Sequence, residues 1–171
     1  MLIIRDYDNS DSEAVGQLIA DTYSEFNLSF ATEAQKALLL GPFRHAKSNE
    51  PAHKKAIAEV ISATMVFVAE ADGQIVGVLR GRPERLQTLY VRGDFHRQGI
   101  GRRLVERFEQ ECLRRGATVI RVASSLYAVP FYRVLGYKCS TGVRPGWSFG
   151  GSGLQVQPVR KVLRPSGGDG S

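Results

Sequence analysis

Cysteine is scarce in this 171-residue chain, which has two, Cys112 and Cys139, neither in a Cys-x-x-Cys pair. That excludes a disulfide framework. Both cysteines are expected to be reduced and buried, in a cytoplasmic protein. Histidine is as thin, with His45, His53 and His96 scattered outside any metal-ligand spacing, so no metal is expected. No window holds 18 consecutive apolar residues, which argues against a membrane span. The opening Met1-Leu-Ile-Ile-Arg-Asp-Tyr7 lacks a basic region, a long apolar run and a small-residue cleavage site, so no secretory signal is expected there. Internal repeats and interdomain linkers are also missing. Lysine is absent from residues 92–115, although seven arginines fall there (92, 97, 102, 103, 107, 114 and 115).

What is present describes an ordinary globular chain, 43% hydrophobic and 23% charged. Its length suits one domain, expected over residues 1–164, with Pro165-Ser-Gly-Gly-Asp-Gly-Ser171 as a disordered tail. The balance of 23 Lys and Arg against 17 Asp and Glu gives a net charge of +6, which attracts anions. The arginine run has two readings. It is a solvated helix face partly neutralised by Glu106, Glu109 and Glu111, or a surface for phosphates, which arginine grips better than lysine does.

Local patterns predict a mixed α/β fold. Leu2–Tyr7 reads as a first strand. Ser10-Asp-Ser-Glu13 has the form of a capping box ahead of an amphipathic helix over 11–26. A second helix runs from Thr32 to Leu40, closed by Gly41-Pro42. Residues 43–62 are ambiguous, with Ser48-Asn-Glu-Pro51 favouring a loop and Lys54 to Ile61 a helix. Met65–Ala69 and Ile75–Leu79 around Ala71-Asp-Gly73 read as a hairpin, and Leu86–Val91 as a third strand of this region. Ile100, Leu104, Val105, Phe108 and Cys112 form one stripe of a helix that Arg115-Gly116 ends. Val119–Val122 is a strand, Val129–Leu135 a short helix, and strands follow from Tyr137 and over Leu154–Leu163. Gly150-Gly-Ser-Gly153 suggests a mobile loop, a candidate lid.

The chemistry concentrates in His96-Arg97-Gln98-Gly99-Ile100-Gly101-Arg102-Arg103, between a strand and a helix start. A helix N-terminus leaves its first N–H groups unpaired and carries about half a positive charge. Glycine lets a phosphate approach the backbone closely. No Gly-Lys-Ser/Thr follows, so this is not a Walker loop, and Leu104 stands where a dinucleotide fingerprint needs its third glycine. A plain strand-to-helix turn is the competing reading. About 30 residues on comes Ser124-Ser-Leu-Tyr-Ala-Val-Pro-Phe-Tyr-Arg-Val-Leu-Gly-Tyr137, a strand end, short helix and glycine stop.

Together these two segments resemble the GCN5-related N-acetyltransferase (GNAT) superfamily. Its pyrophosphate loop reads Gln/Arg-x-x-Gly-x-Gly/Ala, and a later Phe/Leu-Tyr-x-x-x-Gly-Phe/Tyr segment packs beside the coenzyme A thiol. The ending Gln157-Pro-Val-Arg-Lys-Val-Leu163 looks like the last strand of a bacterial branch. The chain departs from the pattern at His96, where the family has Gln or Arg. The resemblance implies a mostly antiparallel mixed sheet of six to seven strands flanked by helices. It also implies acetyl-CoA as cosubstrate and direct acetyl transfer to a primary amine in a ternary complex. Leu89, Tyr90 and Val91 would pair with the pantetheine arm. His96, Arg97, Gln98, Gly99, Ile100, Gly101 and Arg102 would hold the pyrophosphate, chiefly through amides.

Tyr132 matches the family's tyrosine that protonates the departing thiolate, a role a phenol can fill. Its alternative reading is a core aromatic five residues from Tyr127. Ser125, with Ser124, either touches a ligand or caps the following helix. Glu84 is the nearest carboxylate upstream of the cofactor strand, but it also reads as a solvated turn residue. Asp21, Glu25 and His96 are weaker bases, and no base is assigned. Tyr23, Phe26, Phe30, Phe43, Trp147 and Phe149 are packing residues or a π-rich acceptor wall. The acceptor is a small-molecule or peptide amine, and a homodimer is open to the chain because many relatives dimerise. An acetyl-CoA-binding sensor without turnover is the alternative. Nucleic acid is not an expected partner, for lack of any helix-turn-helix, RNP or zinc signature.

Overall fold

The apolar run that begins at Met65 folds into a hairpin of β2 (Met65–Ala71) and β3 (Gln74–Arg82). It turns through Asp72 and Gly73, both at positive φ (50° and 81°), the backbone of a tight hairpin turn. A second reversal at Pro83-Glu84 leads into β4 (Arg85–Val91). In the computed structural model, which describes residues 1–62 and 65–164, these strands form the middle of one eight-stranded sheet. The others are β1 (Leu2–Asp6), β5 (Val119–Ser125), β6 (Lys138–Cys139), β7 (Arg144–Ser148) and β8 (Gly151–Val162). The order is β1-β2-β3-β4-β5-β8-β6, with β7 also on β8. Every pairing is antiparallel except β4 with β5.

Helices cover both faces. The predicted stripe lies on α4 (Ile100–Arg114), and Leu104, Phe108 and Cys112 are fully buried against Phe67, Val76 and Leu79. α5 (Val129–Val134) adds Tyr132 to the same core. On the opposite face α1 (Ser12–Thr22), α2 (Glu33–Leu40) and α3 (Pro51–Ile61) bury Val15, Ile19, Leu39, Ile57 and Ile61 against Val68 and Val78. Each such side chain contributes about 1.5–3 kcal/mol when fully buried. Among the described residues no helix is long and apolar enough to cross a membrane.

Several expectations change. The N-terminal box forms two residues earlier, at Asp8 and Asp11. Asp8 accepts from the Ser10 N–H and Asp11 from the Asp8 N–H, both at 2.9 Å. Arg5 fixes Asp11 with two hydrogen bonds of 2.8 and 2.9 Å, so Ser10 and Glu13 are not the pair. The helix expected over 11–26 ends at Thr22 and runs into a π turn, Tyr23–Asn27. The ambiguous 43–62 stretch holds the end of a 3₁₀ turn (Gly41–His45) and α3.

The sheet has eight strands rather than six or seven. The additional one, β7, ends just before Gly150–Gly153, where a mobile loop was expected and β8 begins, and Ser148 pins it to the helical layer. The Ser148 hydroxyl hydrogen-bonds the Tyr23 hydroxyl at 2.7 Å and donates to the Leu39 carbonyl. Cys112 is buried, which pushes its thiol up to about 11. Cys139 is exposed, against expectation, because β6 is a two-residue edge strand. The predicted tail, 165–171, lies outside the described residues.

Candidate active site

Two parallel strands part at the centre of the sheet. β4 and β5 pair only at Arg85 with Arg121 and Leu86 with Val122. Beyond that point β4 keeps its partner β3 on one edge and faces a gap on the other. The Arg92 N–H bonds the Val76 carbonyl, so by alternation the peptide groups of Leu89 and Val91 point into the gap. His96 takes up one of these groups, its Nε2 lying 2.6 Å from the Val91 carbonyl. A carbonyl only accepts, so Nε2 carries the proton. The imidazole also packs against the Phe26 ring, tilted by 37° with centroids 4.6 Å apart.

The loop after β4 closes the upper end of the gap. Arg97 and Gly99 both have positive φ, 61° and 79°, and Gly99 is the N-cap of α4 without any side-chain cap. The Arg103 N–H bonds the Gly99 carbonyl at 3.0 Å, so the amides of Ile100, Gly101 and Arg102 have no partner within the helix. The two glycines serve different ends. A Cβ at Gly99 would meet nothing within 4 Å, so glycine there serves the turn and leaves the amides open to a ligand. A Cβ at Gly101 would come 3.1 Å from the Phe131 ring, so this glycine lets α5 pack against the loop. Unpaired amides, an open face at Gly99 and flanking arginines fit a pyrophosphate.

Two cavities fill the gap. One, of about 520 Å³, runs along the end of β4 and the loop. Its lining includes Leu89, Tyr90, Val91, His96, Arg97, Gly99, Ile100, Gly101, Arg102, Ser125 and Tyr132. Gln98 is not among them, because its side chain turns outward to the Asp94 carbonyl at 3.4 Å. The other, of about 630 Å³, lies between the π turn, the end of β5 and the β7–β8 hairpin. Eight residues line both, among them Phe26, Leu89, Tyr90, Ser125, Tyr127 and Tyr132. Tyr132 is 4% exposed, and burial alone raises its phenol above the usual range.

A family model described as an acetyltransferase (GNAT) domain matches residues 23–157. The chain belongs to the GNAT family of N-acetyltransferases. Solved structures share its fold at low identity. A GCN5-related N-acetyltransferase from Rhodopseudomonas palustris has a TM-score of 0.77 at 20% identity, over 94% of this chain and 95% of that one. The PaiA N-acetyltransferase of Thermoplasma acidophilum, in complex with coenzyme A, has a TM-score of 0.69 at 17% identity, covering 95% and 99%. YncA of Salmonella typhimurium, a structure with acetyl-CoA, has a TM-score of 0.62 at 18% identity, covering 100% and 99%. No curated protein matches the chain.

Of the candidate bases in this GNAT domain, His96 lines the first cavity and the three carboxylates line neither. Glu84 sits at positive φ (72°) in the turn before β4, at the opposite end of that strand from Leu89–Val91. Asp21 and Glu25 line neither cavity. Ser125 Oγ caps the following turn by accepting the Ala128 N–H at 3.3 Å, yet Ser125 also lines both cavities; the buried Ser124 hydroxyl donates to the Ser125 carbonyl at 2.8 Å, and Ser124 lines the second cavity. Of the aromatics, Phe43 is core, 1% exposed and edge-on to Phe149. Tyr23, Phe26, Phe30, Trp147 and Phe149 line the second cavity.

Sequence reasoning missed Asn27, Phe95, Tyr127 and Phe131 as lining residues. It also missed Arg80, a buried cation behind the aromatic wall. Arg80 Nε donates to the Ile61 carbonyl at 3.2 Å and its Nη2 to that of Val60, at the C-terminal end of α3 where a cation suits the helix dipole. Burial lowers its pKa, and neighbouring Tyr90 opposes that shift. The only advance signal was an arginine inside an apolar strand.

Proposed function

We propose that this GNAT domain binds acetyl-CoA in the first cavity and transfers its acetyl group to a primary amine entering from the second, in a ternary complex. Acetyl-CoA supplies a thioester whose acyl carbon accepts the amine and whose sulfur departs as a thiolate. The free amides of Ile100, Gly101 and Arg102 and the positive end of α4 hold the pyrophosphate, with Arg97 and Arg102 as outer charges. The peptide groups of Leu89 and Val91 pair with the pantetheine arm, His96 having claimed one lone pair of the Val91 carbonyl.

Tyr132 donates its phenolic proton to the departing thiolate and is restored by the proton that the attacking nitrogen gives up as the amide forms. Its raised pKa keeps that proton in place through the neutral range. Among the described residues no carboxylate lines either cavity, so the amine sheds its proton to solvent before it attacks. The observation that carries this reading is that Tyr132 lies where the two cavities join. Two free thiols, one of them exposed, suit a reducing compartment such as the cytoplasm.

Tyr132→Phe tests the assignment by keeping the ring and removing the proton. Turnover, followed by thiol release, should fall about 100-fold, within the usual range for a lost general acid. The calorimetric Kd for acetyl-CoA should stay within about twofold. Unchanged turnover would mean that another group protonates the thiolate.

A further inference from the structure

The second cavity has a lining that bears on the acceptor. All of the described residues that form it are uncharged, and eight of them are aromatic. Inside, Tyr23 meets Tyr90 and Phe149 edge-on, each with centroids 5.6 Å apart. At the mouth Phe30, Leu126, Tyr127 and Trp147 are all more than half exposed, Trp147 at 81%. A clustered apolar rim on an otherwise charged protein marks a place where apolar matter docks. Deeper in the wall the Thr88 hydroxyl is buried without a partner among the described residues.

Behind this wall lies Arg80, which backbone carbonyls hold and no carboxylate pairs among the described residues. Its guanidinium carbon is 6.0 Å from the Phe149 ring centroid. A permanent cation there, in a molecule of net charge +6, repels any ammonium that enters. A second or third positive charge on the acceptor would be desolvated with no carboxylate in the described lining to pair it. A neutral amine on an apolar body meets neither penalty, and its rings or chains gain the aromatic wall.

We propose that the acceptor is a small primary amine with an apolar, preferably aromatic, body and no second charge, and that polyamines and aminoglycosides are excluded. This rests on the acetyl-transfer reading, and its test separates the two. Trp147 is the single tryptophan of the chain, so its fluorescence reports on the cavity whether or not turnover occurs. With the full-length protein, 2-phenylethylamine should quench that fluorescence at concentrations at least 20-fold below those needed for 1,5-diaminopentane, spermidine or kanamycin. With acetyl-CoA present, kcat/KM from thiol release at pH 8 should favour 2-phenylethylamine over the diamine by at least 50-fold.

Gln155→Glu puts a carboxylate into the lining at an exposed position and should move this ratio toward the diamine by about 10-fold. Equal or stronger quenching by the diamine, spermidine or kanamycin overturns the proposal, as does quenching by none of the four amines. If quenching follows the expected order but calorimetry finds no acetyl-CoA binding, the acceptor chemistry stands and the acetyl-transfer reading fails.

Discussion

The two cavities that meet at Tyr132 are made by different means. The first is built on main chain, with free amides at the start of α4 and peptide edges at Leu89 and Val91, under a cationic rim of Arg97 and Arg102. The second is built on side chains, aromatic and uncharged, drawn from the π turn, β5 and the β7–β8 hairpin. A backbone site recognises a constant group, here a diphosphate, and tolerates most changes of side chain. A side-chain wall recognises whatever its residues fit, and a few substitutions retune it. The lesson is that cofactor and acceptor selectivity can vary independently in this molecule.

The comparison breaks if one lesion spoils both cavities. Gly101→Val is the harshest trial, since a Cβ there would already sit 3.1 Å from Phe131 and the added methyls crowd it further. Acetyl-CoA affinity should drop more than about 100-fold, roughly 2.7 kcal/mol, while quenching of Trp147 by 2-phenylethylamine stays within about twofold. Parallel losses in both measurements would show one coupled site.

A pH series sharpens the contrast next. With no carboxylate in the lining and a phenol that burial keeps protonated, acceptor kcat/KM should rise about tenfold per pH unit and level off at the amine's own pKa. An α-amino-type acceptor of pKa near 8 should therefore plateau about two units earlier than an alkylamine near 10.4. A plateau fixed at one pH for both would reveal an enzyme base. The smallest effect belongs to Arg97→Gln. Arg97 is exposed, so acetyl-CoA affinity should fall only about three- to fivefold in dilute buffer. That difference should vanish near 0.5 M salt, where exposed charges are screened, with amine quenching unaltered at any salt.

The cofactor side was legible in the sequence and the acceptor side was not. α4 announced itself because five apolar residues keep one helical stripe, and the loop before it because glycines punctuate it. Both signals are local. The β4–β5 parting had no local signal, since nothing in Leu86–Val91 says where a neighbour strand leaves it. The acceptor wall joins residues far apart in the chain, as Tyr23 and Ser148 do across 125 positions, and no periodicity reports such a meeting. The π turn at Tyr23–Asn27 continues a helical pattern while rotating Phe26 and Asn27 toward the gap. Gly150–Gly153 read as a loop from its glycines, yet Gly151–Gly153 open β8 in a hairpin that Ser148 anchors to α2 and the π turn. At the N-terminus Ser10-x-x-Glu13 matched the box motif, but Arg5 pins Asp11 and starts the turn sooner.

The breach between β4 and β5 has a thermodynamic corollary. Its margins are strands and helix ends that core packing already immobilises, with Phe131 seated on Gly101 and Ser148 tethering the far bank. An incoming ligand has little chain to order, so scant conformational entropy is forfeited on association. Calorimetry on the native protein should accordingly record a modest heat-capacity change, sized by the surface the ligand itself covers rather than by any refolding of its host.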